Sequence, residues 1–177
     1  MTAQIEELSA GELAREIDPF AALLHACVHA GASIGFIQPF SLDEARSFWR
    51  DKIVPGLATG TRRLLAARQN GMLAGTVQLG FDTMPNQRHR GDVSKLMVNP
   101  EARRNGIARR LMIELERIAR LEGRTLLTLD TREKDDAEPL YRALGYRVAG
   151  VIPGYARAPD ADRLEGTVIM FKETPSS

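Results

Sequence analysis

Only one cysteine, Cys27, stands among the 177 residues, so the chain carries no internal disulfide and no site built from several thiolates. That usage fits a reducing compartment. Net charge is nearly absent as well: 24 Lys and Arg offset 23 Asp and Glu to leave +1, which removes any global pull toward nucleic acid or an anionic membrane. The longest apolar run, Phe20 to Ala30, is interrupted by His25 and His29 and is too short to cross a bilayer. The first residues, Met-Thr-Ala-Gln-Ile-Glu-Glu, lack the basic stretch and apolar core of a signal peptide. There is no repeat, low-complexity tract or linker. The expectation is one domain over residues 1–177, soluble and cytoplasmic, with neither nucleic acid nor membrane as partner.

Local signals give the element order. Gln4 to Leu8 reads as a strand, and Gly11 to Ala30 as an amphipathic helix interrupted near Asp18-Pro19. Ser41-Leu-Asp-Glu44 is a capping box opening a second helix through Phe48, Trp49 and Ile53 toward Pro55-Gly56. Thr61–Gln69 and Met72–Phe81 flank Asn70-Gly71, a tight-hairpin signal, and a polar loop from Asp82 to Gly91 leads into the strand Asp92–Val98. A helix over Gly106–Glu122 buries Ile107, Leu111, Leu115 and Ile118 and stops at Gly123. The strand Thr125–Asp130, a short helix over Ala137–Leu144, and strands at Tyr146–Val151 and Thr167–Lys172 complete a mixed α/β (α+β) layout whose central β-α-β unit is a parallel crossover. The Thr-Pro-Ser-Ser tail reads as frayed.

The stretch from Val98 to Met112 carries the chemistry. An apolar strand stops at a turn and restarts as a helix whose first turn holds glycine and arginine, where unpaired main-chain N–H groups and the positive end of the macrodipole suit a pyrophosphate. Gly106 lets backbone approach such a ligand closely. Between Glu101 and Arg124 seven arginines face four glutamates, and arginine at a helix N-terminus opposes the dipole unless an anion is bound.

These residues, Arg103, Arg104, Asn105, Gly106, Ile107 and Ala108, resemble the Arg/Gln-x-x-Gly-x-Gly/Ala signature of the GNAT superfamily of N-acetyltransferases. The element order is similar too. Ala137-Glu-Pro-Leu-Tyr-Arg-Ala-Leu-Gly-Tyr146 resembles the second motif, Ala-x-x-Phe-Tyr-x-x-x-Gly-Phe. The resemblance implies a mostly antiparallel sheet of about seven strands and about four helices. It also implies acetyl-CoA as cosubstrate, with its pantetheine arm in a gap between Asp92–Val98 and Thr125–Asp130. Its cofactor-binding set here is Leu96, Met97 and Val98 with Arg103, Arg104, Asn105, Gly106, Ile107, Ala108 and Arg109. Two departures are Arg104, where glycine is common, and Lys134, where asparagine is common.

Acetyl transfer to an amine needs a base for the ammonium, N–H donors for a developing oxyanion and an acid for the departing thiolate. The resemblance implies Tyr141 as acid and a main-chain N–H of Met97 or Val98 at the oxyanion. Asp92, eight residues before Pro100, stands where the family often has a glutamate base, and Asp130 ends the neighbouring strand; either carboxylate, or a water relay, can take the proton. Against these roles stand plainer ones: a core tyrosine, and aspartates that merely end strands. No metal site is expected, because His25 and His29 lack a third ligand. Cys27 reads as a buried apolar residue, and Trp49 as a core anchor or a wall of the acceptor site.

Gly-Ala-Ser-Ile-Gly-Phe36, Lys95-Leu-Met-Val98, Leu129-Asp-Thr131 and Ile152-Pro-Gly-Tyr155 are similar to the tabtoxin-resistance type of the superfamily, which implies detoxification of an amino-acid-like antimetabolite. The expected function is N-acetylation of a primary amine of a small molecule in a ternary complex. The alternative is a non-catalytic acyl-CoA sensor or scaffold, which would need neither Tyr141 nor Asp92. Oligomeric state stays open, a homodimer included.

Overall fold

The computed structural model describes residues 3–81 and 83–174. Asp82, at the start of the expected polar loop, and residues 175–177 of the tail lie outside them. Strands β1 (Gln4–Glu7), β2 (Arg62–Gln69), β3 (Met72–Gly80), β4 (Arg90–Val98), β5 (Leu126–Arg132), β6 (Arg147–Arg157) and β7 (Leu164–Glu173) form one open sheet in the order β1-β2-β3-β4-β5-β7-β6. Every neighbouring pair is antiparallel except β4 and β5, as expected for a mixed sheet with one parallel crossover. Asn70 and Gly71 have φ of 53° and 78°, the left-handed pair that closes a two-residue hairpin between β2 and β3.

The sheet separates two apolar layers. Helix α5 (Ile107–Leu121) makes the crossover and buries Ile107, Leu111, Leu115 and Ile118 against Leu65, Val77, Leu79 and Leu127; α6 (Glu138–Ala143) adds Tyr141 to the same layer. On the other face α1 (Ala10–Arg15), α2 (Ile17–His29), α3 (Leu42–Phe48), α4 (Val54–Ala58) and the turn joining the last two pack Phe20, Leu24, Trp49 and Ile53 on Leu64, Ala66 and Met97.

The early helices divide more finely than the sequence pattern suggests. The first break falls at Glu16 rather than at Asp18-Pro19, because Pro19 lies in the first turn of α2, where no N–H is needed. A second capping box, Ser9 with Glu12, opens α1. The helix begun by Ser41 and Glu44 does not end at Pro55. It passes through a π-turn, Trp49–Ile53, in which the Val54 N–H reaches back five residues to the Trp49 carbonyl, and this slip seats Pro55 at the start of α4. Both closing strands run past the bounds expected for them, Tyr146–Val151 and Thr167–Lys172, into the segment between: a bulge between Ile152 and Ala156 absorbs Pro153 and Gly154 and lets β6 run on to Arg157.

A second bulge positions the site. Lys95 and Leu96 lie together opposite Val77, between the rungs Gln78↔Ser94 and Thr76↔Met97, and Lys95 takes a left-handed φ of 52°. Strands β4 and β5 pair over only three rungs, the last being Asp92↔Thr128. Beyond it β5 keeps its ladder with β7 while β4 bends away, so the two strands part toward their carboxyl ends.

Candidate active site

The N-terminus of α5 lies at the open end of that parting. Its N-cap, Gly106, has φ of 73° and no side chain to accept from the first turn, so the N–H groups of Ile107, Ala108 and Arg109 are left without an intrahelical partner. Arg104 is also left-handed, at φ 62°, the conformation glycine would adopt freely. Arg103, Arg104, Asn105 and Gly106 are exposed, and the Asn105 side chain donates to the Ala102 carbonyl across the turn. The residues present therefore fit a pyrophosphate: unspent main-chain donors, a helix dipole of fifteen residues and arginine on both sides.

The strand before this loop offers one more donor. The Asn99 N–H bonds the Ala74 carbonyl, and alternation along an antiparallel ladder then turns Val98 away from β3 and Met97 toward it. Of the two oxyanion candidates, Val98 presents its N–H to the gap. Its carbonyl accepts from the Cys27 thiol at 3.5 Å. Cys27, far from the motifs in sequence, thus lies against them in space. Burial pushes its thiol pKa up, and Arg103 is near enough to oppose that shift.

Of the expected residues, Asp92 and Asp130 lie on one face of the sheet, beside the gap, and Tyr141 lies in the α5 layer on the other. Val93, Leu127 and Leu129 point to the α5 layer, so Asp92, Thr128 and Asp130 share the opposite face. Thr128 donates its hydroxyl to Asp92, and Arg90 adds an ion pair at 3.3 Å. Asp130 accepts from Thr167 at 3.4 Å and is otherwise exposed. Tyr141 stacks edge-on with Tyr146 at 5.9 Å, and burial, then the charges of Asp135 and Asp130, raise its pKa well above the usual phenol range. Pro139 falls in the first turn of α6, where it disturbs nothing. Lys134 holds a left-handed φ of 63°, a conformation asparagine tolerates better.

The wall facing these groups is the segment from Gly31 to Phe40. Arg132 donates to the Gly31 carbonyl at 3.1 Å and the Gln38 N–H to the Pro159 carbonyl at 2.8 Å, so one end of the segment is tied to β5 and the other to the turn between β6 and β7. Trp49 takes no part in it. Fully buried and packed on Phe20 and Phe48, it is a core anchor and not an acceptor-site wall. His25 and His29 stack at 4.1 Å along α2, and among the described residues no three metal-ligating side chains come together. No helix among the described residues is long and apolar enough to cross a membrane.

The family model for the acetyltransferase (GNAT) family matches residues 22–146, which spans α2 through α6 and includes the gap, the loop and Tyr141. The chain belongs to the GNAT acetyltransferase family. An uncharacterized N-acetyltransferase from the hisH–hisA intergenic region of Azospirillum brasilense is 32% identical over 114 residues, 63% of this chain and 66% of that protein. The IAA acetyltransferase of the same organism is 33% identical over 104 residues, 58% of this chain and 66% of its own. This chain thus spans about two thirds of the length of each. Among solved structures, a Salmonella typhimurium protein crystallised with its cofactor acetyl-CoA superposes with a TM-score of 0.77 over 100% of this chain and 96% of that one, at 17% identity. An N-acetyltransferase from Staphylococcus aureus superposes at 0.79 over 98% and 99%, at 16% identity. These likenesses are likenesses of the GNAT fold.

Some groups at the GNAT site gave no local signal in the sequence. Thr128, Gln78 and Lys95 read as ordinary strand residues, Lys95 being named only within the Lys95-Leu-Met-Val98 resemblance. Thr128 was findable through its register with Asp92, while Lys95 owes its place to a bulge that no pattern announces.

Proposed function

We propose that the protein transfers the acetyl group of acetyl-CoA to the primary amine of a small molecule, directly between the two substrates in a ternary complex. One arrangement carries this reading: the parting of β4 from β5 at Asp92↔Thr128, with the uncapped N-terminus of α5 at its open end. When bound, acetyl-CoA supplies a thioester, an acyl group activated for attack.

The chain's own residues supply the rest. Main-chain N–H groups from Arg103 to Ala108, with the charge of Arg109, hold the pyrophosphate, and the edges of Leu96, Met97 and Val98 receive the pantetheine arm. The Val98 N–H faces the carbonyl oxygen on which negative charge develops, a donor of the kind that contributes about 3 kcal/mol to such transition states. Asp92, directly or through a water, takes the proton of the incoming ammonium, whose pKa of about 10 leaves little free amine at neutral pH. Asp130 adds a second negative charge on the same face and favours a cationic acceptor. As the C–N bond forms and the C–S bond breaks, Tyr141 donates a hydrogen bond to the departing sulfur. A phenol this reluctant to ionise stabilises the thiolate chiefly as a donor; the ammonium proton leaves through Asp92 to solvent, and the second proton, which the nitrogen loses as the amide forms, is the one the thiolate finally takes.

A module that only sensed acyl-CoA would have no use for Asp92, Asp130 and Tyr141 around one gap. A role in disarming an antimetabolite is supported only by resemblance to the tabtoxin-resistance type. Titration with acetyl-CoA by calorimetry, followed by an amine panel with thiol release as readout, tests the proposal. Micromolar binding and turnover with at least one amine are expected. No binding at millimolar acetyl-CoA overturns it.

A further inference from the structure

The bulge in β4 sets a half-buried lysine in the acceptor cleft without giving it a partner. Lys95 Nζ lies 5.8 Å from the ring centre of Phe36 and 5.9 Å from that of Phe48, and 3.6 Å from where a Cβ on Gly35 would stand. Among the described residues it forms no hydrogen bond or ion pair, although Asp130 is near enough to favour its charge and Arg62 to oppose it. A left-handed φ is unfavourable for a residue with a Cβ, so lysine occupies this position against a local preference for glycine. One strand over, Gln78 shares the face of Leu64 and Ser94. It is fully buried; its Oε1 accepts from Arg62 at 2.6 Å while its Nε2 has no partner among the described residues.

Two sets of groups therefore lie on one side of the sheet. Asp92 and Asp130 present negative charge near the acyl gap, and Lys95, with the unspent amide of Gln78 behind it, presents positive charge and donors against an aromatic wall. We infer that Lys95 determines acceptor specificity: it receives a carboxylate carried by the same molecule whose amine is acetylated. An ammonium that meets two ring faces, with Asp130 near but not in contact, is under-compensated, and a bound carboxylate relieves this in a way a neutral or purely cationic amine cannot. Arg62, already engaged with Gln78, adds positive field at the same end. The inference rests on the acetyl transfer proposed above and concerns a different end of the acceptor.

The test uses matched pairs, each amino acid against the amine left when its carboxylate is removed, such as phenylalanine with 2-phenylethylamine and lysine with 1,5-diaminopentane. The wild-type protein should prefer at least one carboxylated member by tenfold or more in kcat/KM. In Lys95→Met that preference should fall to within threefold, through KM more than kcat, while the KM for acetyl-CoA stays put; Lys95→Arg should keep part of it. Equal use of both members by the wild type, or a preference that survives in Lys95→Met, overturns the inference. A second arm needs no transfer: with coenzyme A present, N-acetylphenylalanine should slow modification of Lys95 by trinitrobenzenesulfonate, followed by mass spectrometry, at least fivefold, and N-(2-phenylethyl)acetamide, which lacks the carboxylate, should not. Protection without any acetylation would count against the reaction and leave the carboxylate site standing; absence of protection would overturn the site itself.

Discussion

Thr128 donates its hydroxyl to the carboxylate of Asp92 across the last rung at which β4 and β5 still pair. The bond fixes the carboxylate where the strands begin to part and leaves its remaining lone pairs for a water or an ammonium. Asp92→Asn should therefore lower kcat/KM for the amine by about a hundredfold at pH 7. Because the base is needed only while the amine is protonated, the gap between variant and wild type should narrow as the pH approaches about 10. Initial rates across that range check this, and a deficit that stays constant with pH would assign Asp92 a structural role.

Tyr141 is nearly enclosed, and its phenol stays protonated throughout the neutral range. Removing the hydroxyl without altering the ring should leave the packing against Tyr146 intact. Tyr141→Phe is expected to lower kcat at least tenfold and to leave the dissociation constant for acetyl-CoA within twofold. Calorimetry beside steady-state kinetics separates the two; an unchanged kcat would remove the residue from the reaction.

Two glycines make a contrast. A Cβ at Gly75 would stand 2.7 Å from the Met97 carbonyl oxygen and 3.2 Å from Ile107, so Gly75→Ala must push apart β3, β4 and α5. A loss of about 1–3 kcal/mol is expected from such overpacking, read as a lower melting temperature. At Gly106 a Cβ would meet nothing, and only its φ of 73° resists substitution. Gly106→Val should therefore leave the melting temperature within a few degrees, since one strained residue amounts to about 1–2 kcal/mol. It should still raise the dissociation constant for acetyl-CoA tenfold or more by turning the first N–H groups of α5 away. Normal affinity in that variant would discredit the loop as the pyrophosphate cradle.

What could be read beforehand was whatever depends on neighbours in sequence. Ser41 with Glu44, Asn70-Gly71, the spacing of Ile107, Leu111 and Leu115, and the loop around Gly106 are short-range signals, and each lies where it was expected. The Ser9 and Glu12 box is a signal of the same short range. Pro153-Gly154 misled because both residues mark loops, whereas an edge strand can absorb them in a bulge. The burial of Cys27 is as expected, but neither its contact with Val98 nor the cleft position of Lys95 has a local signal. These depend on a register shift between β3 and β4 and on how α2 crosses the end of β4, which are set by packing between distant segments.

Alkaline stability tests the enclosure of α6 and its surroundings. Burial raises the pKa of both Tyr141 and Tyr146, and the nearby Glu116 adds to the shift at Tyr146. Above pH of about 10 the unfolded chain releases both phenolic protons while the folded chain keeps them. The unfolded state then binds fewer protons, so stability present below that pH is lost as pH rises, by about 1.4 kcal/mol per pH unit for each tyrosine. Urea unfolding between pH 9 and 12 should show this slope, and Tyr146→Phe should roughly halve it, whatever it does to stability at pH 7. A variant with the wild-type slope would mean that Tyr146 ionises freely in the folded protein, and that the layer joining α5, α6 and β7 is open to water.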